Sequence, residues 1–531
     1  MTAPSSAAPV AAPPAKAARL THVRLPRPGD TIGSMTLQTM ALNEQALEKW
    51  EPVIGLEIHT QLSTTTKMFC RCRLEFGAEP NTHVCEVCLA HPGVLPVPNR
   101  TAIDYAVRIG LALNCSITER SIFHRKNYFY PDSPKAYQIT QFDNPICGEG
   151  FLMVPDSEGN EERVGITRAH LEEDAAKLVH AGASGRILDS SHSFVDFNRV
   201  GTPLVEIVTE PDIRSPEQAR RFLTLLKNTL ETIAVSDCNM EEGSLRCDAN
   251  ISIRPRGESE LGVKTELKNM NSFRFLERGV HAEIARQIDL AERGLTIEQE
   301  TLHFDPQTGA LRSLRSKEQA HDYRYFPEPD LVPIVLTSDH IQRVREAMPE
   351  LPYDRMQRFQ ADFGLSAYDA SVLNLDPATA DFYERVVTLT AESEPKAVAN
   401  WVMGEYLALQ KDGLEATPEQ LAGTVDLVSR GTISGKVGKE ILARVAADGG
   451  DPAAIVEAEG LAQVDDESAL RDAVQQALDS NPKQVEQYRA GKITLVGFFV
   501  GQVMKSMQGK ANPQKTKALV EELLGPAPAA D

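Results

Sequence analysis

The sequence predicts an α+β domain followed by a region built of helices alone. Three observations support this division. Runs such as VGITRAHLEED, TPLVEIVTEPDI and NISIRP, all between residues 50 and 335, are β-branched or alternate apolar with polar residues. Helical patterns interrupt these runs. After Pro333 the apolar residues recur with a helical period only, and no further strand pattern follows.

Start signals locate several helices. Ser215-Pro-Glu-Gln218 is a capping box with proline at the first helical position, and Thr417-Pro-Glu-Gln420 repeats it. Residues 273–293 have apolar positions at helical spacing, and short helices separated by Gly and Asp fill 415–525. We therefore predict four segments: an Ala/Pro-rich extension (1–49), an α+β domain (50–340), a helical domain (341–414) and a helical tail domain (415–531).

The first 49 residues are typical of a disordered extension. They mix Ala with Pro and contain no apolar segment of the kind a secretory signal requires. No acidic residue precedes Asp30, which leaves a transit peptide open, although the proline content disfavours the amphipathic helix of such peptides. No run of eighteen apolar residues follows, so we expect a cytoplasmic protein without a membrane span.

The net charge of −20 is unevenly distributed. Between Lys483 and Val520 the chain has seven Lys or Arg against the single acid Glu486. A basic end on an acidic protein can bind a polyanion, and a solvated helix face is the alternative.

Four of the eight cysteines lie within nineteen residues, as C-x-C-x12-C-x2-C. Two cysteine pairs of this kind supply the tetrahedral thiolate ligands of a structural zinc ion, so we predict a zinc knuckle over 70–88. Four cysteine ligands would leave no open position for a substrate, which indicates a structural role. Four buried thiols without metal are the alternative.

The reactive residues are expected in acidic segments. In VIGLEIHTQL, Glu57 and His59 occupy positions i and i+2 of a strand and so share a face, an arrangement suited to Mg²⁺ or Mn²⁺. An exposed surface pair is the alternative. Glu206 lies within an apolar strand pattern, where a carboxylate is costly unless it is paired or binds a metal.

Further charged residues accumulate between residues 57 and 268. Several carboxylates are needed to hold divalent cations on nucleotide phosphates, and basic residues must then hold the phosphates. We expect Lys126, Arg246 and Lys268 in the second role. The acidic candidates are Glu172, Glu173, Asp174, Glu241, Glu242, Asp248 and Glu266.

Common nucleotide and nucleophile motifs are missing from the sequence. There is no G-x-x-x-x-G-K-[ST], no G-x-G-x-x-G after a strand and no G-x-S-x-G. The nearest match, Gly431–Lys436, is one residue short, and we interpret it as a turn between helices. An ATP site in this chain would therefore not be a P-loop.

Long strings of the sequence resemble the GatB family of tRNA-dependent aspartyl/glutamyl amidotransferase subunits. They run from about residue 50 to the C-terminal half and include VIGLEIHTQL, RKNYFYPDSPKAYQITQFD, GITRAHLEEDAAKL, NRVGTPLVEIVTEPDIRSP, MEEGSLRCDANIS, ELKNMNSF, DYRYFPEPDLVP, NWVMGEYLAL and FFVGQVMKSMQGKANPQ. Residues 1–49 lie outside the resemblance.

The resemblance implies one subunit of a heterotrimeric carbon–nitrogen ligase. A separate amidase subunit releases ammonia from glutamine, a small third subunit completes the complex, and a channel carries the ammonia. The GatB subunit uses ATP and Mg²⁺ to phosphorylate the side-chain carboxylate of Glu on tRNA(Gln) or Asp on tRNA(Asn), and ammonia displaces the phosphate. Whether one or both tRNAs are substrates is left open by the sequence.

The resemblance also implies a cradle-like fold, similar to the glutamine synthetase catalytic domain, with a helical tail that contacts tRNA. Carried over by position, the metal and phosphoryl-transfer site comprises Glu57, His59, Glu173 and Glu206, with Lys126, Asp248 and Glu266 nearby. Lys135 and Tyr137 would lie by the ammonia channel, and the zinc ligands would be Cys70, Cys72, Cys85 and Cys88. The tRNA contacts would include Lys492, Lys505, Lys510, Lys515 and Lys517.

Two other functions fit parts of the pattern. A non-catalytic, zinc-bearing scaffold that positions tRNA would explain the cysteines and the basic tail but would leave Glu57, His59 and Glu206 without a role. A free-standing metal-dependent ligase acting on a small acid would explain the carboxylates but not the tail.

Overall fold

The computed structural model describes residues 44–525 except 157, 182–189, 269, 317–321, 464–466 and 508–509. The predicted extension lies outside the described residues up to residue 43. Its last six residues, Glu44–Lys49, form a helix, α1, because Ala46 and Leu47 pack against the core. The strands are β1 Trp50–Gln61, β2 Arg120–Ser121, β3 His124–Asn127, β4 Tyr137–Thr140, β5 Gly150–Pro155, β6 Glu161–Glu173, β7 Lys177–His180, β8 Ser193–Asp196, β9 Pro203–Thr209, β10 Leu245–Pro255, β11 Thr265–Lys268, β12 Glu300–Phe304, β13 Leu311–Ser316, β14 Phe326–Pro327 and β15 Ile334–Val335.

The remaining helices divide into those that cover the sheet and those that follow it. The first group is α2 Arg100–Ala112, α3 Pro216–Thr232 and α4 Phe273–Glu292. The second group is α5 Ser338–Glu346, α6 Pro352–Phe363, α7 Ala367–Leu373, α8 Pro377–Leu389, α9 Pro395–Trp401, α10 Leu407–Lys411, α11 Pro418–Ser429, α12 Gly435–Asp448, α13 Pro452–Glu459, α14 Glu467–Asp479, α15 Pro482–Arg489, α16 Val496–Ser506 and α17 Pro513–Leu524. The predicted α+β class with a helical C-terminal region is confirmed.

Within the described residues, one large sheet of eleven strands organises the first half. Its order is β13-β12-β11-β10-β1-β9-β6-β4-β3-β14, and β5 pairs with the N-terminal half of β6. Neighbouring strands are antiparallel except for β11 and β12. β1, β9 and β6 therefore lie side by side in the middle of the sheet.

The two faces of the sheet have different chemistry. On β1, Ile54, Leu56 and Ile58 are buried on one face, and helices α2, α3 and α4 pack against the sheet there. Because side chains alternate along a strand, Glu57 and His59 point to the opposite face. None of the helices α2, α3 and α4 covers that face, which is lined by polar residues. The sheet therefore forms a floor that is open on one side.

The predicted start signals are present at the helix ends. The Ser215 side chain accepts a hydrogen bond from Gln218 N at the start of α3, although the Gln218 side chain accepts from Arg214 N and not from Ser215 N. Thr417 and Gln420 form the complete reciprocal box before α11. Gly431–Lys436 spans the turn into α12, whose N-cap is Ser434.

The helical half contains one departure from the pattern and two separate cores. A π-helical turn, Val402–Tyr406, interrupts the predicted helix between α9 and α10, and its Tyr406 stacks on Phe382 with ring centroids 3.8 Å apart. The first hydrophobic cluster continues from the sheet as far as Val456. A second cluster begins at Leu470. The separate core thus begins later than the predicted boundary near 415. Along the described part of the chain no helix is long and apolar enough to cross a membrane.

Candidate active site

Two histidines and three glutamates meet in the middle of the open face. In the β1–β9–β6 register, His59 lies opposite Glu206, and Glu206 lies opposite His170. His59 Nε2 is 3.3 Å from a Glu206 carboxylate oxygen, 3.6 Å from one of Glu172 and 3.9 Å from one of Glu57. Three neighbouring strands thus bring one imidazole among three carboxylates.

Glu206 is shared by two groups of metal-ligating side chains. One group is Glu57, His59 and Glu206, and the other is His170, Glu172 and Glu206. Within each group the ligating atoms lie within 4.8 Å of one another. A donor set rich in carboxylates fits hard divalent cations such as Mg²⁺ or Mn²⁺.

The electrostatics of the cluster favour positive charge. Burial opposes protonation of His59, but the hydrogen bond to Glu206 and the charges of Glu172 and Glu57 raise its pKa to about 9. Burial raises the pKa of Glu172 to about 7 and lowers that of His170 to about 4. Burial also opposes ionisation of Glu206, yet His59 and His170 hold its pKa well below its usual range. Glu206 is therefore the fixed anion of the site.

A cavity of about 530 Å³ lies over this cluster. Lys126, Arg246 and Lys268, the three predicted phosphate-binding residues, line it together with His59 and Glu172. Burial opposes protonation of Lys126, but the charge of Glu172, the largest favourable contribution, keeps its pKa raised. The cavity thus combines a carboxylate floor with basic side chains in its walls, which is the charge pattern that binds a metal–nucleotide complex.

Local ion pairs position the remaining predicted residues. Lys268 Nζ is 2.5 Å from Asp248 and 3.0 Å from Glu266. Arg246 is 3.1 Å from Asp174. Asp248 and Glu266 therefore hold a lysine of the cavity wall and are not members of the two groups around Glu206.

Glu173 lies apart from its neighbour Glu172. Its carboxylate is 2.6 Å from Lys135 Nζ and accepts a hydrogen bond of 3.1 Å from Ile139 N. The structure brings Glu172 to within 3.6 Å of His59. The predicted Glu173 is a member of neither group around Glu206.

Glu173 and Lys135 lie at the border between two cavities. A second cavity, of about 190 Å³, extends from this pair to the cysteine-rich segment, where Cys70, Cys88 and His91 line it. Four residues line both cavities: Pro134, Lys135, Tyr137 and Glu173. Tyr137 is held by a cation–π contact, with the Arg125 guanidinium 4.3 Å from its ring centroid.

The four cysteines converge at the far end of the second cavity. Cys70, Cys72, Cys85 and Cys88 have sulfur atoms within 4.8 Å of one another, so the residues fit a closed tetrathiolate centre. Lys67, which is fully buried, contacts Cys88 Sγ at 3.6 Å and donates to Phe197 O at 3.1 Å. A buried ammonium beside a thiolate group compensates part of its negative charge.

Two members of the cluster are absent from the predicted ligand set, and a neighbouring arginine is absent from the candidates. Glu172 is a candidate carboxylate of the sequence but not one of its predicted ligands, and His170 is not among the candidates. Arg168, whose Nη2 is 3.6 Å from Glu206, is not among them either. The signal is present in the sequence, because the period of two along β6 places 168, 170 and 172 on one face. It becomes decisive only with the pairing of β6 and β9.

The predicted tRNA-binding lysines lie in the region of the second core. Lys492, Lys505, Lys515 and Lys517 are exposed, and Lys510 is half-buried. Lys517 forms an exposed pair with Glu521 at 3.8 Å. Their positions leave most of this positive charge accessible to a polyanion.

Comparison with known proteins places this site in a family. Residues 52–342 match the family described as the GatB/GatE catalytic domain, and residues 381–524 match the GatB domain. The chain belongs to the GatB/GatE catalytic-domain family. The family resemblance of the sequence is thereby confirmed, and the matched N-terminal range contains the whole open face of the sheet and both cavities.

Individual relatives agree with this membership. The chain is 49% identical over 482 residues to a protein of Persephonella marina that is named as the B subunit of aspartyl/glutamyl-tRNA(Asn/Gln) amidotransferase, covering 90% of this chain and 100% of that protein. It is 49% identical to the protein of the same name from Carboxydothermus hydrogenoformans, with 90% and 99% covered. For that of Brevibacillus brevis the identity is 50% over 484 residues, again with 90% and 99% covered.

Proposed function

We propose that this chain is the transamidating subunit of a tRNA-dependent aspartyl/glutamyl amidotransferase. It converts Glu-tRNA(Gln), Asp-tRNA(Asn) or both into the amidated tRNAs with ATP and with ammonia released from glutamine. The observation that supports this best is the group of carboxylates and histidines around Glu206, which lies under a cavity lined by Lys126, Arg246 and Lys268. Membership of the family supports the same reaction.

The first step is transfer of a phosphoryl group to the side-chain carboxylate of the misacylated residue. A carboxylate is a poor electrophile, because its charge repels nucleophiles and oxide is a poor leaving group. A carboxylate oxygen attacks the γ-phosphorus of ATP, the bond to the bridging oxygen breaks, and ADP leaves. Lys126, Arg246 and Lys268 hold phosphate oxygens. Bound Mg²⁺ would neutralise charge on the transferred phosphoryl group. The residues that would hold the metal are Glu57, His59, His170, Glu172 and Glu206.

The second step is attack of ammonia on the acyl phosphate. The ammonia nitrogen bonds to the acyl carbon, inorganic phosphate leaves, and the nitrogen loses a proton. Ammonia must arrive unprotonated, which requires a path shielded from bulk water. The second cavity, bounded by Lys135, Tyr137 and Glu173, supports such a path into the site. The Lys135–Glu173 pair lies where that path enters the reaction cavity.

The two metals have separate roles in this proposal. Mg²⁺ belongs to the cluster around Glu206. The tetrathiolate centre of Cys70, Cys72, Cys85 and Cys88 takes structural Zn²⁺, because four sulfur ligands suit zinc and leave no position for a substrate.

The partners follow from the reaction. Ammonia has to be supplied by a glutamine amidase subunit, with the small third subunit completing the heterotrimer, and the amino-acid substrate is presented on tRNA in the cytoplasm. We assign the α+β domain (50–340) to catalysis. Of the predicted helical domain (341–414) and tail domain (415–531), we assign tRNA contact to the tail.

Glu206→Gln tests the proposal. In the purified heterotrimer, with ammonium chloride in place of glutamine, wild type should form ADP and amidated tRNA from misacylated tRNA. The variant should lose both products by about 100-fold or more, because an uncharged amide cannot hold the cations that stabilise the transferring phosphoryl group. Glu210→Gln, at an exposed position just past the end of β9, is the matched control and should retain activity.

The same experiment distinguishes the proposed enzyme from the two alternative functions, a non-catalytic scaffold and a small-acid ligase. A scaffold would keep full amidation in Glu206→Gln, and the site would then lie in a partner subunit. A small-acid ligase would amidate free glutamate or aspartate and would be insensitive to removal of the second core, from α14 onwards. Unchanged tRNA binding by Glu206→Gln, measured by filter retention, shows that a loss of product reflects chemistry and not substrate capture.

A further inference from the structure

An aromatic ladder runs from the reaction cavity to the protein surface. It consists of Tyr323, Tyr325 and Phe142. Tyr323 lines the cavity. The Tyr323 and Tyr325 ring centroids are 6.1 Å apart, and Tyr325 stacks on Phe142 at 4.2 Å with an interplanar angle of 9°. Phe142, at the outer end, is 54% exposed. We read this connected set of rings, which begins in the cavity and ends exposed to water, as a contact surface.

The backbone that presents the ladder is held in an unusual conformation. Arg324, between the two tyrosines, has φ +46°, a left-handed geometry that a non-glycine residue adopts only where the surroundings impose it. The Asn127 side-chain amide imposes it here by donating to both Tyr323 O, at 3.0 Å, and Arg324 O, at 2.7 Å. Asn127 N donates to Tyr323 O as well, at 2.9 Å. The ladder is therefore fixed by β3.

The residue between the two tyrosines also carries an exposed cation. The Arg324 side chain is 81% exposed, and its nearest acidic neighbour, Asp322 at 3.7 Å, is 80% exposed. Lys126 Nζ lies 5.0 Å from the Tyr323 ring centroid and lines the cavity together with His59 and Glu172. The ladder thus begins one side chain away from the carboxylate cluster and ends at the exposed ring of Phe142.

We propose that the aromatic ladder stacks on the adenine base of the terminal nucleotide of aminoacylated tRNA. This inference rests on the proposed function. The amino acid to be modified is esterified to the terminal ribose, so its base must lie within about two side-chain lengths of the reacting carboxylate. Stacking on aromatic side chains, together with a guanidinium near the phosphates, is how proteins hold unpaired RNA ends.

The tRNA end fits the ladder better than the adenine of ATP does. The ladder leads outwards to a ring that is more than half exposed, whereas the phosphate-binding lysines and Arg246 lie inside the cavity. An exposed outer end suits a long substrate that enters from solvent. Arg324, exposed and adjacent in the chain to both tyrosines, offers a cation to the ribose–phosphate chain of the tRNA.

Phe142→Leu, with Phe142→Tyr as its matched control, tests the proposal in the heterotrimer. Leucine keeps the apolar character but removes the ring, whereas tyrosine keeps it. With ammonium chloride and saturating ATP, Phe142→Leu should lower kcat/KM for misacylated tRNA about 5- to 140-fold, the equivalent of about 1–3 kcal/mol of stacking at 1.4 kcal/mol per tenfold. Phe142→Tyr should match wild type, and the KM for ATP should be unchanged in both.

Other outcomes would overturn the assignment. A raised KM for ATP with an unchanged value for tRNA would assign the ladder to the nucleotide, and unchanged kinetics for both would leave it without a ligand. Arg324→Gln, a fully surface change, gives a second test independent of folding and should weaken tRNA use in the same direction. Wild type that fails to amidate tRNA would contradict the proposed function itself, whereas an active wild type with an unaffected Phe142→Leu would contradict only the ladder.

Discussion

Glu172 and Glu173 are adjacent in the chain and both line the reaction cavity, but only Glu173 also lines the second cavity. Glu172 reaches His59 and His170, whereas Glu173 is paired with Lys135 at the border of the second cavity. Both are buried, and the pairing of β6 with β9 places only the first beside Glu206. We therefore propose separate roles for the two carboxylates: Glu172 in the chemistry and Glu173 in the passage of ammonia.

We expect Glu172→Gln and Glu173→Gln to fail in different ways. Glu172→Gln should lose ADP formation and amidation together, by about 100-fold or more, because charge is lost where the phosphoryl group is transferred. Glu173→Gln should continue to form ADP while the yield of amidated tRNA per ADP falls, because the passage and not the phosphorylation site is altered. The measurement is the ratio of amide to ADP with glutamine as nitrogen source.

The exposed Glu161→Gln at the start of β6 is the control and should behave as wild type. Equal loss of ADP formation in both buried variants would contradict the separation of roles. Glu173 would then have to act directly on the phosphoryl group.

At the scale of elements, hydrogen bonds to β8 and to the residues just after it hold the cysteine-rich segment, in addition to its own cluster of sulfur atoms. The Asn81 side chain donates to Val195 O at 3.1 Å and accepts from Phe197 N at 2.8 Å. Asn198 accepts from His83 N at 2.8 Å. These bonds orient the segment so that Cys70 and Cys88 form part of the wall of the second cavity. Metal in the centre would keep that wall in place.

Cys85→Ser should remove the bound metal and loosen the segment without unfolding the sheet. Loss of one thiolate weakens a closed zinc site strongly, and the freed loop should exchange its amide hydrogens faster over residues 70–88. Metal content and hydrogen exchange measure the two effects. Because the ligands must be deprotonated, wild type should release metal as pH falls.

Cys238→Ser, at a buried cysteine outside the cluster, is the matched control and should keep its metal. If Cys85→Ser retained a full metal content, the four sulfurs would not be the ligands. An unchanged exchange rate without metal would mean that the Asn81 contacts suffice to hold the segment.

The elements are largely predictable from local patterns, but their neighbours are not. Alternation in VIGLEIHTQL identifies β1 and the shared face of Glu57 and His59, and the Thr417 capping box locates α11. Local sequence patterns do not predict which strands pair with each other, since pairing depends on packing between segments more than a hundred residues apart in the chain. The resemblance carries Glu173 over to this site, whereas the pairing of β6 with β9 places Glu172 beside the His59–Glu206 pair.

At the scale of the molecule, the chain separates a buried polar centre from a peripheral basic region. The carboxylate cluster lies in the middle of a sheet whose core continues into the helices as far as Val456. The basic lysines lie with a second core that begins at Leu470. The net charge of −20 would repel tRNA overall, so a distinct basic region is needed to capture it.

Neutralising the tail lysines should weaken tRNA binding and its dependence on salt, while leaving the chemistry intact. Changing Lys492, Lys505, Lys510, Lys515 and Lys517 to Gln should reduce the slope of log K against log salt by up to about 0.9 for each lysine that contacts a duplex phosphate. Because the cluster around Glu206 is untouched, kcat at saturating tRNA should stay within about twofold of wild type. Filter binding from 50 to 200 mM salt gives the slope.

A control variant should keep the wild-type slope. It changes five exposed basic residues on the helices before the second core: Arg343, Arg345, Lys411, Lys436 and Lys439. These residues are exposed but lie outside the region of the second core. Equal slopes for wild type and the tail variant would place the tRNA contact elsewhere, whereas an equal loss in the control would mean that total charge and not the tail captures the substrate.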